Sequence, residues 1–597
     1  MNPILKVLLS VTMGFNLDKT SGNRLSTMHF NFGSSPITRE WDMSISFVKV
    51  QPVVICKIFN DIPLIKNPLL FKEPEQKLIN VAEAANWASD YTRRSISVEN
   101  ISYLIQYGRI HPVGVDGRPY VDKTELKKYY DSINKEQQWK HELGDDLNWQ
   151  LSFNQYREKE RTKHVHRLHP YKGKFIPQLV EYFLDEHTDQ YKREICFRPG
   201  DVVLDPFCGS GTTLVQANEL GIHAVGVDVS AFNCVIANTK IAQYELSQLS
   251  STLLELTSDL EHFLQLEKNQ SARGFGTELN YLLSEFNARN FGSKTQAENT
   301  NDEVSFSKSK EKEFLIQFTK LVKQYEIELV PNKPRGFLDT WLLVPARKEV
   351  EYLTERMQPY RKKKLWNILG VILSRTVRSS RATSHADLGT LKTPVHAPYY
   401  CQKHHKICKP PLTILNWWKR YSIDTLRRLQ EFDQKRTNTH QICLRGDSRE
   451  LELIGQLSSF NTSLKNLVSH QKCRGIFTSP PYVGVIDYHE QHAYAYEMLE
   501  IERDDQFEIG PLKRGQSKAA RDSYVEGIAE VLQFNKKYLQ SDYDVFLVAN
   551  DKFNLYPKIA DRAHMQIVNT FKRPVLNRVE KDRERAYSET IFHLKER

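Results

Sequence analysis

The chain has 597 residues, 40% hydrophobic and 26% charged, which is an ordinary globular composition that we expect to fill about two to four domains. It has no run of 18 apolar residues, which excludes a transmembrane helix, and its net charge of +10 suits a polyanionic partner. The eight scattered cysteines exclude a disulfide framework and predict reduced thiols in a cytoplasmic protein.

The first 70 residues show no recognisable pattern. Residues 4–15 are apolar but lack a convincing signal-peptide cleavage site, and Met43 is an alternative start. We therefore expect a poorly defined extension over residues 1–70, followed by a coherent unit at 71–140.

Residues 71–140 have the pattern of a small DNA-binding module. A helix is predicted over 78–94, and a second helix begins after Ser97, a possible N-cap with Asn100 three positions on. A short strand and a third helix follow over 117–133. This order predicts a winged helix-turn-helix and resembles excisionase-like and MerR-like modules; a small helical docking domain is the alternative.

Residues 150–250 alternate between strands and helices, which favours an α/β fold with a parallel sheet. The segment 205–213, DPFCGSGTT, follows a predicted strand, and Gly209 and Gly211 permit a tight turn with close approach of backbone to a ligand. Asp228 ends the next predicted strand, where a carboxylate can accept hydrogen bonds from both hydroxyls of a ribose. This spacing predicts a nucleoside site, and the absence of GK[ST] and GxGxxG disfavours a phosphate loop or a dinucleotide.

Residues 251–440 separate this segment from a second α/β part. The polar stretch 267–312 predicts a flexible linker, and 313–440 is helical, aromatic and basic. Arginines at every third position predict a helical stripe that binds DNA phosphates, with a solvated basic face as the alternative. These residues are Arg375, Arg378 and Arg381.

Soft metal ligands occur at Cys401, at His404 or His405, and at Cys408. A structural zinc site usually needs four ligands, so three fall short of one. We therefore expect no metal site in this stretch.

Residues 441–597 return to alternating strands and helices and end in two runs that predict a closing antiparallel hairpin. Within them, GIFTSPPYVG at 475–484 ends a buried strand at Pro480 and Pro481, which remove two backbone donors and fix φ. The hydroxyl of Ser479 comes directly before this rigid turn, and the aromatic ring of Tyr482 comes directly after it.

DPFCGSGTT together with TSPPY resembles the class I S-adenosylmethionine-dependent amino-methyltransferases of DNA. Segments 169–183, GDS at 446–448 and the closing hairpin match further motifs of that family in the expected order. The resemblance covers 165–245 and 440–597. It implies a Rossmann-like sheet of seven strands whose last strand is antiparallel, with S-adenosylmethionine as cofactor.

The resemblance also implies roles for single residues. Asp228 is expected to hold the ribose of the cofactor and Asp447 its adenine. The remaining cofactor-binding residues that it implies are Tyr171, Phe175, Pro177, Asp205, Phe207, Gly209, Gly211 and Thr212.

The Ser-Pro-Pro-Tyr segment, Ser479 to Tyr482, is the expected catalytic element. An exocyclic amine is a poor nucleophile because its lone pair is delocalised into the base. Acceptors at its N–H groups, the Ser479 hydroxyl and the Pro480 carbonyl held by Pro481, would free that pair. Tyr482 would stack on the flipped base.

Within the family, Ser-Pro-Pro-Tyr tends to accompany cytosine N4, whereas Asp or Asn at its first position accompanies adenine N6. We therefore expect a site-specific cytosine-N4 methyltransferase of duplex DNA, either beside a cognate restriction endonuclease or alone. Its methyltransferase domain would comprise 150–250 and 441–597, with target recognition in the insertion 251–440. Adenine-N6 methylation, guanine-N2 methylation of RNA and a non-catalytic DNA-binding regulator are the alternatives.

Overall fold

The computed structural model describes residues 49–50, 53–54, 77–93, 95–106, 109–115, 118–153, 156, 158–266, 269–291, 300–387, 391–575 and 586–597. It divides into two compact units, 1–129 and 130–597. Most of the predicted extension 1–70 lies outside the described residues, apart from the paired strands β1 (Lys49–Val50) and β2 (Val53–Val54). Among the described helices, none combines the length and apolarity needed to cross a bilayer.

The first unit contains the predicted short strand and helices. Its antiparallel sheet has the order β3-β5-β4. Its elements are β3 (Leu78–Asn80), α1 (Val81–Thr92), α2 (Val98–Gln106), β4 (Pro112–Val115), β5 (Arg118–Asp122) and the start of α3 (Lys123–Leu143). Asn100 Oδ1 accepts from the Ser97 N–H at 2.9 Å and Ser97 Oγ from the Asn100 N–H at 3.3 Å. These bonds confirm Ser97 as the cap of α2; the assignment to the winged helix-turn-helix class stays a prediction.

The second unit is built on two sheets. Its strands are β6 (Val202–Asp205), β7 (His223–Asp228), β8 (Tyr399–Cys401), β9 (Lys406–Cys408), β10 (Gln441–Arg445), β11 (Cys473–Thr478), β12 (Leu539–Ala549), β13 (Met565–Pro574) and β14 (Ser588–Glu596). Seven of these strands form a sheet of order β10-β7-β6-β11-β12-β14-β13. The first five are parallel, and β14 is antiparallel to both of its neighbours. The expected mainly parallel sheet with an antiparallel last strand is therefore confirmed.

Helices surround this sheet and form the insertion. In chain order they are α4 (Glu158–Arg161), α5 (Pro177–Leu184), α6 (Thr212–Glu219), α7 (Ala231–Ile241), α8 (Leu246–Gln265), α9 (Gln270–Phe291), α10 (Thr300–Gln324), α11 (Gly336–Trp341), α12 (Val344–Met357), α13 (Lys364–Ser379), α14 (Leu415–Asp433), α15 (Leu453–Phe460), α16 (Thr462–His470), α17 (Tyr488–Gln491), α18 (Ala493–Leu499), α19 (Lys518–Asn535) and α20 (Tyr556–Arg562). Single 3₁₀ turns occur at Trp149–Ser152, His164–Arg167, Gln358–Tyr360, Asp505–Phe507, Leu512–Arg514 and Lys536–Tyr538.

Both faces of the sheet are buried, which explains why its strands are almost continuously apolar. Val203 packs into the core on one face, with Phe183 of α5 and Phe477. Its neighbour Leu204 packs into the opposite core, which includes Ile528 of α19. The carboxyl ends of the parallel strands consequently meet at one edge, and the loops that follow them are held by two rigid layers.

The predicted flexible linker at 267–312 is wrong for the residues that the structure describes. Helices α9 and α10 occupy much of it, and Phe275, Leu279, Leu283 and Phe286 are buried along one side of α9. They pack with Phe314 and other residues into a third core. These few apolar residues recur at helical spacing, which outweighs the polar average composition of the stretch.

Candidate active site

A cavity of about 800 Å³, including its open mouth, lies at the carboxyl-terminal edge of the central sheet. Strands β6 and β11 are neighbours there although about 270 residues separate them, which is the switch point where α/β sheets bind ligands. The lining residues are Tyr171, Gly173, Lys174, Phe175, Pro206, Phe207, Cys208, Gly209, Ser210, Thr212, Asp228, Val229, Asn233, Gly446, Asp447, Ser448, Ser479, Pro481, Tyr488, Phe507, Glu508 and Ile509.

The two glycines of the loop after β6 serve different purposes. Gly209 lines the cavity at φ +50°, and a Cβ there would lie 2.9 Å from the Tyr171 hydroxyl. Gly211 has φ +76°, and a Cβ there would lie 2.8 Å from Cβ of Ala237 in α7. Gly211 does not line the cavity and allows close packing of the loop against a helix, and its expected cofactor contact stays a prediction.

Asp228 is fixed by two backbone donors and one side-chain amide. Its Oδ2 accepts from the Gly209 N–H at 2.7 Å, and its Oδ1 accepts from the Ser230 N–H at 2.8 Å and Asn233 Nδ2 at 3.0 Å. Burial raises the pKa of this carboxyl. Because each carboxylate oxygen has two lone pairs, the carboxylate retains acceptor capacity toward the cavity that it lines.

Asp205 is buried and is not among the residues that line the cavity. The Thr478 hydroxyl donates to its Oδ1 at 2.6 Å, and the Phe207 N–H donates to the same atom at 3.2 Å. Burial raises the pKa of Asp205 to about 6. Asp205 thus joins the glycine loop to the end of β11, directly before Ser479, and its expected contact with a cofactor stays a prediction.

Asp447 lines the cavity at the end of β10. Arg449 holds this carboxylate through Nη2 at 2.5 Å and Nε at 2.9 Å. The side chain is only 9% exposed. The positions of Asp228 and Asp447 thus provide one carboxylate beside the glycine loop and a second after the neighbouring strand.

The segment before α5 supplies aromatic walls. Tyr171 and Phe175 line the cavity, whereas Pro177 is the buried first residue of α5 and does not. With its φ fixed near −65°, this proline begins the helix, and its predicted role as a cover of the cavity stays a prediction. Lys174 donates to the His166 carbonyl at 2.7 Å, and burial lowers its pKa to about 8.

The Ser-Pro-Pro-Tyr segment reaches the cavity through Ser479 and Pro481. Ser479 Oγ donates to the Val548 carbonyl of β12 at 3.0 Å. Pro480 is buried, and the Tyr482 hydroxyl donates to Glu589 of β14 at 3.1 Å. Neither Pro480 nor Tyr482 lines the cavity, so their expected catalytic roles stay predictions.

Several lining residues were not predicted from the sequence. Tyr488 stacks on Tyr171 with ring centroids 5.8 Å apart and an interplanar angle of 19°. Phe507, Glu508 and Ile509 come from a loop with no recognisable motif. The His489 ring hydrogen-bonds Glu508 at 2.5 Å. A density of histidine and acid at 487–492 is the only sequence signal near them.

The predicted arginine stripe is wrong as an exposed helical face. Arg375 pairs with Asp424 of α14 at 2.7 Å and lies 4.0 Å from the centre of the Tyr421 ring. Helix α13 ends at Ser379, so Arg381 is outside it, buried, and donates to the Arg378 carbonyl. Within the described part of the chain, no hydrogen bond or ion pair is found for the guanidinium of Arg378, a partly buried residue.

The sequence predicted only three metal ligands between Cys401 and Cys408, and the structure adds a fourth. His385 lies beside Cys401, His404 and Cys408, and their four ligand atoms are within 4.8 Å of one another. The fourth residue was missed because it lies 16 positions before Cys401, in the loop after α13.

Comparison with known proteins gives a consistent result. A family described as DNA methylase matches residues 56–239. The chain is 42% identical to the Type II methyltransferase M.MjaII of Methanocaldococcus jannaschii over 533 residues, which is 88% of this chain and 98% of that protein. It is also 36% identical over 120 residues to the Type II methyltransferase M.MvaI of Kocuria varians, covering 20% of this chain and 24% of that protein.

Among solved structures, the rRNA methyltransferase aviRa of Streptomyces viridochromogenes aligns at a TM-score of 0.23 and 8% identity. The alignment covers 71% of this chain and 88% of that chain. A likeness of this strength carries no argument about either fold or substrate.

Proposed function

The chain belongs to the N6/N4 family of DNA methylases, and we propose that its methyl acceptor is the N4 amino group of cytosine in duplex DNA. The observation that carries this proposal is Ser479, which lines the same cavity as Asp228 and Asp447. In the family that the sequence resembles, serine at this position tends to accompany cytosine.

The methyl donor of this family is S-adenosylmethionine, whose sulfonium supplies an electrophilic methyl group. The cavity fits a nucleoside of this kind. Gly209 allows close backbone approach, Asp228 offers an acceptor for a ribose hydroxyl, and Asp447 offers an acceptor for the adenine amine. Tyr171 and Phe175 add apolar walls, and Thr212 opens α6 at the cavity.

Ser479 would activate the target amine as a hydrogen-bond acceptor. Its own proton is directed to the Val548 carbonyl at 3.0 Å, so its oxygen lone pairs are left to accept from another donor. An N–H bond directed at this oxygen draws the amine toward tetrahedral geometry, in which its lone pair is available for attack on the methyl group.

The Pro480 carbonyl is the proposed second acceptor. Two consecutive proline rings fix the backbone on both sides of it, so the carbonyl dipole needs little reorganisation as the reaction proceeds. Below this corner, the Thr478 hydroxyl is tied to Asp205 at 2.6 Å. This bond positions the corner against the glycine loop, and the chemistry proposed for this chain relies on such positioning of the two reactants.

We further propose that the enzyme protects DNA beside a cognate restriction endonuclease. The support is that both relatives, M.MjaII and M.MvaI, are named as Type II methyltransferases. Target recognition in the insertion 251–440 stays a prediction.

The test is to methylate duplex DNA with the full-length protein, digest it to nucleosides and identify the product by mass spectrometry. N4-methylcytosine is the expected product. N6-methyladenine would overturn the choice of base while leaving a DNA methylase, and no methylated nucleoside at any enzyme concentration would favour the non-catalytic regulator. The same assay on the variant Ser479→Ala should give much less product. The matched control is Ser458→Ala, which changes an exposed serine in α15 and should leave the yield unchanged.

A further inference from the structure

The His385 cluster, which comprises His385, Cys401, His404 and Cys408, lies in the insertion. Cys401 ends β8 and Cys408 ends β9, and these strands pair as a hairpin in which Cys401 opposes Lys406. His404 lies in the turn, and His385 comes from the loop after α13. None of the four residues lines the cofactor cavity.

The spacing of the ligand atoms is that of a tetrahedral metal site. Cys401 Sγ lies 3.4 Å from His385 Nδ1 and 3.6 Å from His404 Nδ1, and Cys408 Sγ lies 3.5 Å from His404 Nδ1. With Zn–S near 2.3 Å and Zn–N near 2.05 Å, a tetrahedral zinc separates sulfur from nitrogen by about 3.6 Å. Both thiols are free, so a disulfide does not account for their proximity.

Two other groups of potential ligands are explained by cations of the protein itself. In the His164, His166 and Glu219 group, Lys163 Nζ lies 2.7 Å from the Glu219 carboxylate. In the Cys196, Asp544 and His593 group, Arg474 lies 2.8 Å from the Asp544 carboxylate. The His385 cluster differs because it has two sulfurs and two imidazoles, the donor set that zinc prefers in structural sites.

The surroundings orient the cluster. The backbone N–H of His385 donates to the Tyr399 hydroxyl at 2.9 Å. The same hydroxyl lies 2.9 Å from Nδ1 of the His385 ring. The hairpin is attached to α9 by a pair of bonds, each 2.9 Å, between the Ile407 backbone and the Asn287 side chain. It is attached to α10 by the Tyr400 N–H, which donates to Glu311 at 3.1 Å.

We propose that the His385 cluster binds one zinc ion with a structural role. The four protein ligands fill a tetrahedral shell and leave no position for water or substrate. Each thiol releases its proton to solvent on binding, and the ion joins the loop after α13 to the β8–β9 hairpin. The zinc thereby fixes how the hairpin and helices α9, α10 and α13 of the insertion are held together. This proposal does not depend on the base that the enzyme methylates.

The first test measures zinc per chain in the full-length protein, purified without chelators, by elemental mass spectrometry. One zinc per chain is expected, falling at least fivefold in Cys401→Ser, Cys408→Ser and His385→Ala. His405→Ala, which changes the adjacent exposed histidine, is the matched control and should keep the full amount. Wild-type protein with far less than one zinc would overturn the proposal, and unchanged zinc in His385→Ala would overturn the assignment of the fourth ligand.

A second measurement does not require the variants to fold. Replacing the metal of wild-type protein with Co²⁺ should give the strong d–d absorption of tetrahedral cobalt and a thiolate-to-cobalt charge-transfer band. Weak octahedral absorption without charge transfer would count against the cluster.

S-adenosylmethionine binding should be retained in each variant that folds, because the cofactor cavity contains none of the four residues.

Discussion

The carboxyl-terminal edge of the central sheet and the helical insertion place their polar residues by different means. At the sheet edge, Asp228 and Ser479 are held by main-chain groups, the Gly209 N–H and the Val548 carbonyl. In the insertion, Arg375 is held by other side chains, the Asp424 carboxylate and the Tyr421 ring. Strand order therefore positions the first set, whereas packing between helices positions the second.

This difference separates two kinds of expected effect. Substitutions at the sheet edge should affect binding and chemistry more than stability, because the backbone there is fixed on two sides by buried layers. Substitutions of paired charges in the insertion, such as Arg375 with Asp424, should affect stability first, because these groups satisfy one another. The variants that follow test this contrast, from the largest expected effect to the smallest.

Asp228→Ala should abolish detectable methyl transfer and weaken S-adenosylmethionine binding by about 10- to 10²-fold. Three protein donors leave this carboxylate one acceptor site, and one charge-assisted hydrogen bond to a ribose hydroxyl is worth about 1.5–3 kcal/mol. Isothermal titration calorimetry measures the affinity. The control is Asp542→Ala, an exposed aspartate in β12, which should bind normally. Wild-type affinity in Asp228→Ala would remove this carboxylate from the cofactor site.

Ser479→Ala should lower kcat by about 10²- to 10³-fold, the usual loss when one preorganised hydrogen-bond group is removed. Its dissociation constant for S-adenosylmethionine should change less than about threefold, because the side chain acts on the target amine. Single-turnover methylation and cofactor titration separate these effects. A purely cofactor-binding role would instead weaken affinity with the chemical rate intact.

Arg375→Ala should destabilise the protein by about 2–4 kcal/mol, since it leaves the largely buried Asp424 carboxylate with one fewer cation. Chemical denaturation of the full-length protein, followed through the unfolding transition of the second unit, would measure the loss of stability. The slope of DNA affinity against salt concentration should stay at its wild-type value. A reduced slope with unchanged stability would return Arg375 to the DNA-contacting residues.

The difference in unfolding free energy between wild type and Asp205→Asn should decrease as pH rises from about 4 to 7. Burial raises the pKa of Asp205 from 3.8 to about 6, so the protonated acid stabilises the folded state at low pH. That stability is lost as pH rises through about 6, by up to about 3 kcal/mol. Asparagine is chosen because its amide oxygen can still accept from Thr478. A difference in unfolding free energy that stays constant from pH 4 to 7 would show that Asp205 is ionised over that range.

Arg378→Ala should have the smallest effect, a loss of about one phosphate contact. The slope of log affinity against log salt should fall by about 1, with stability unchanged. Titrations of a labelled DNA duplex at several salt concentrations would measure it. Equal slopes for wild type and variant would mean that Arg378 does not contact a DNA phosphate, which would remove the last arginine of the predicted stripe from the DNA-binding residues.

The sequence alone determined the central features of the fold and the site. The glycine loop with an acid after the next strand placed Gly209 and Asp228 together, and the family resemblance of GDS and TSPPY added Asp447 and Ser479. All four line one cavity, because short motifs fix local backbone shape and strand order brings strand ends together. The same spacing could not distinguish Asp228, which lines the cavity, from Asp205, which turns toward Thr478.

Only the tertiary structure decided the insertion and the far wall of the cavity. Helix α13 ends two residues before Arg381, and His385 reaches Cys401 across the loop that follows. Phe507 and Glu508 enter the cavity from a loop without a motif. Such contacts depend on how helices and loops pack against one another, and packing is decided by shape and pairing across the whole unit rather than by the spacing of residues along the chain.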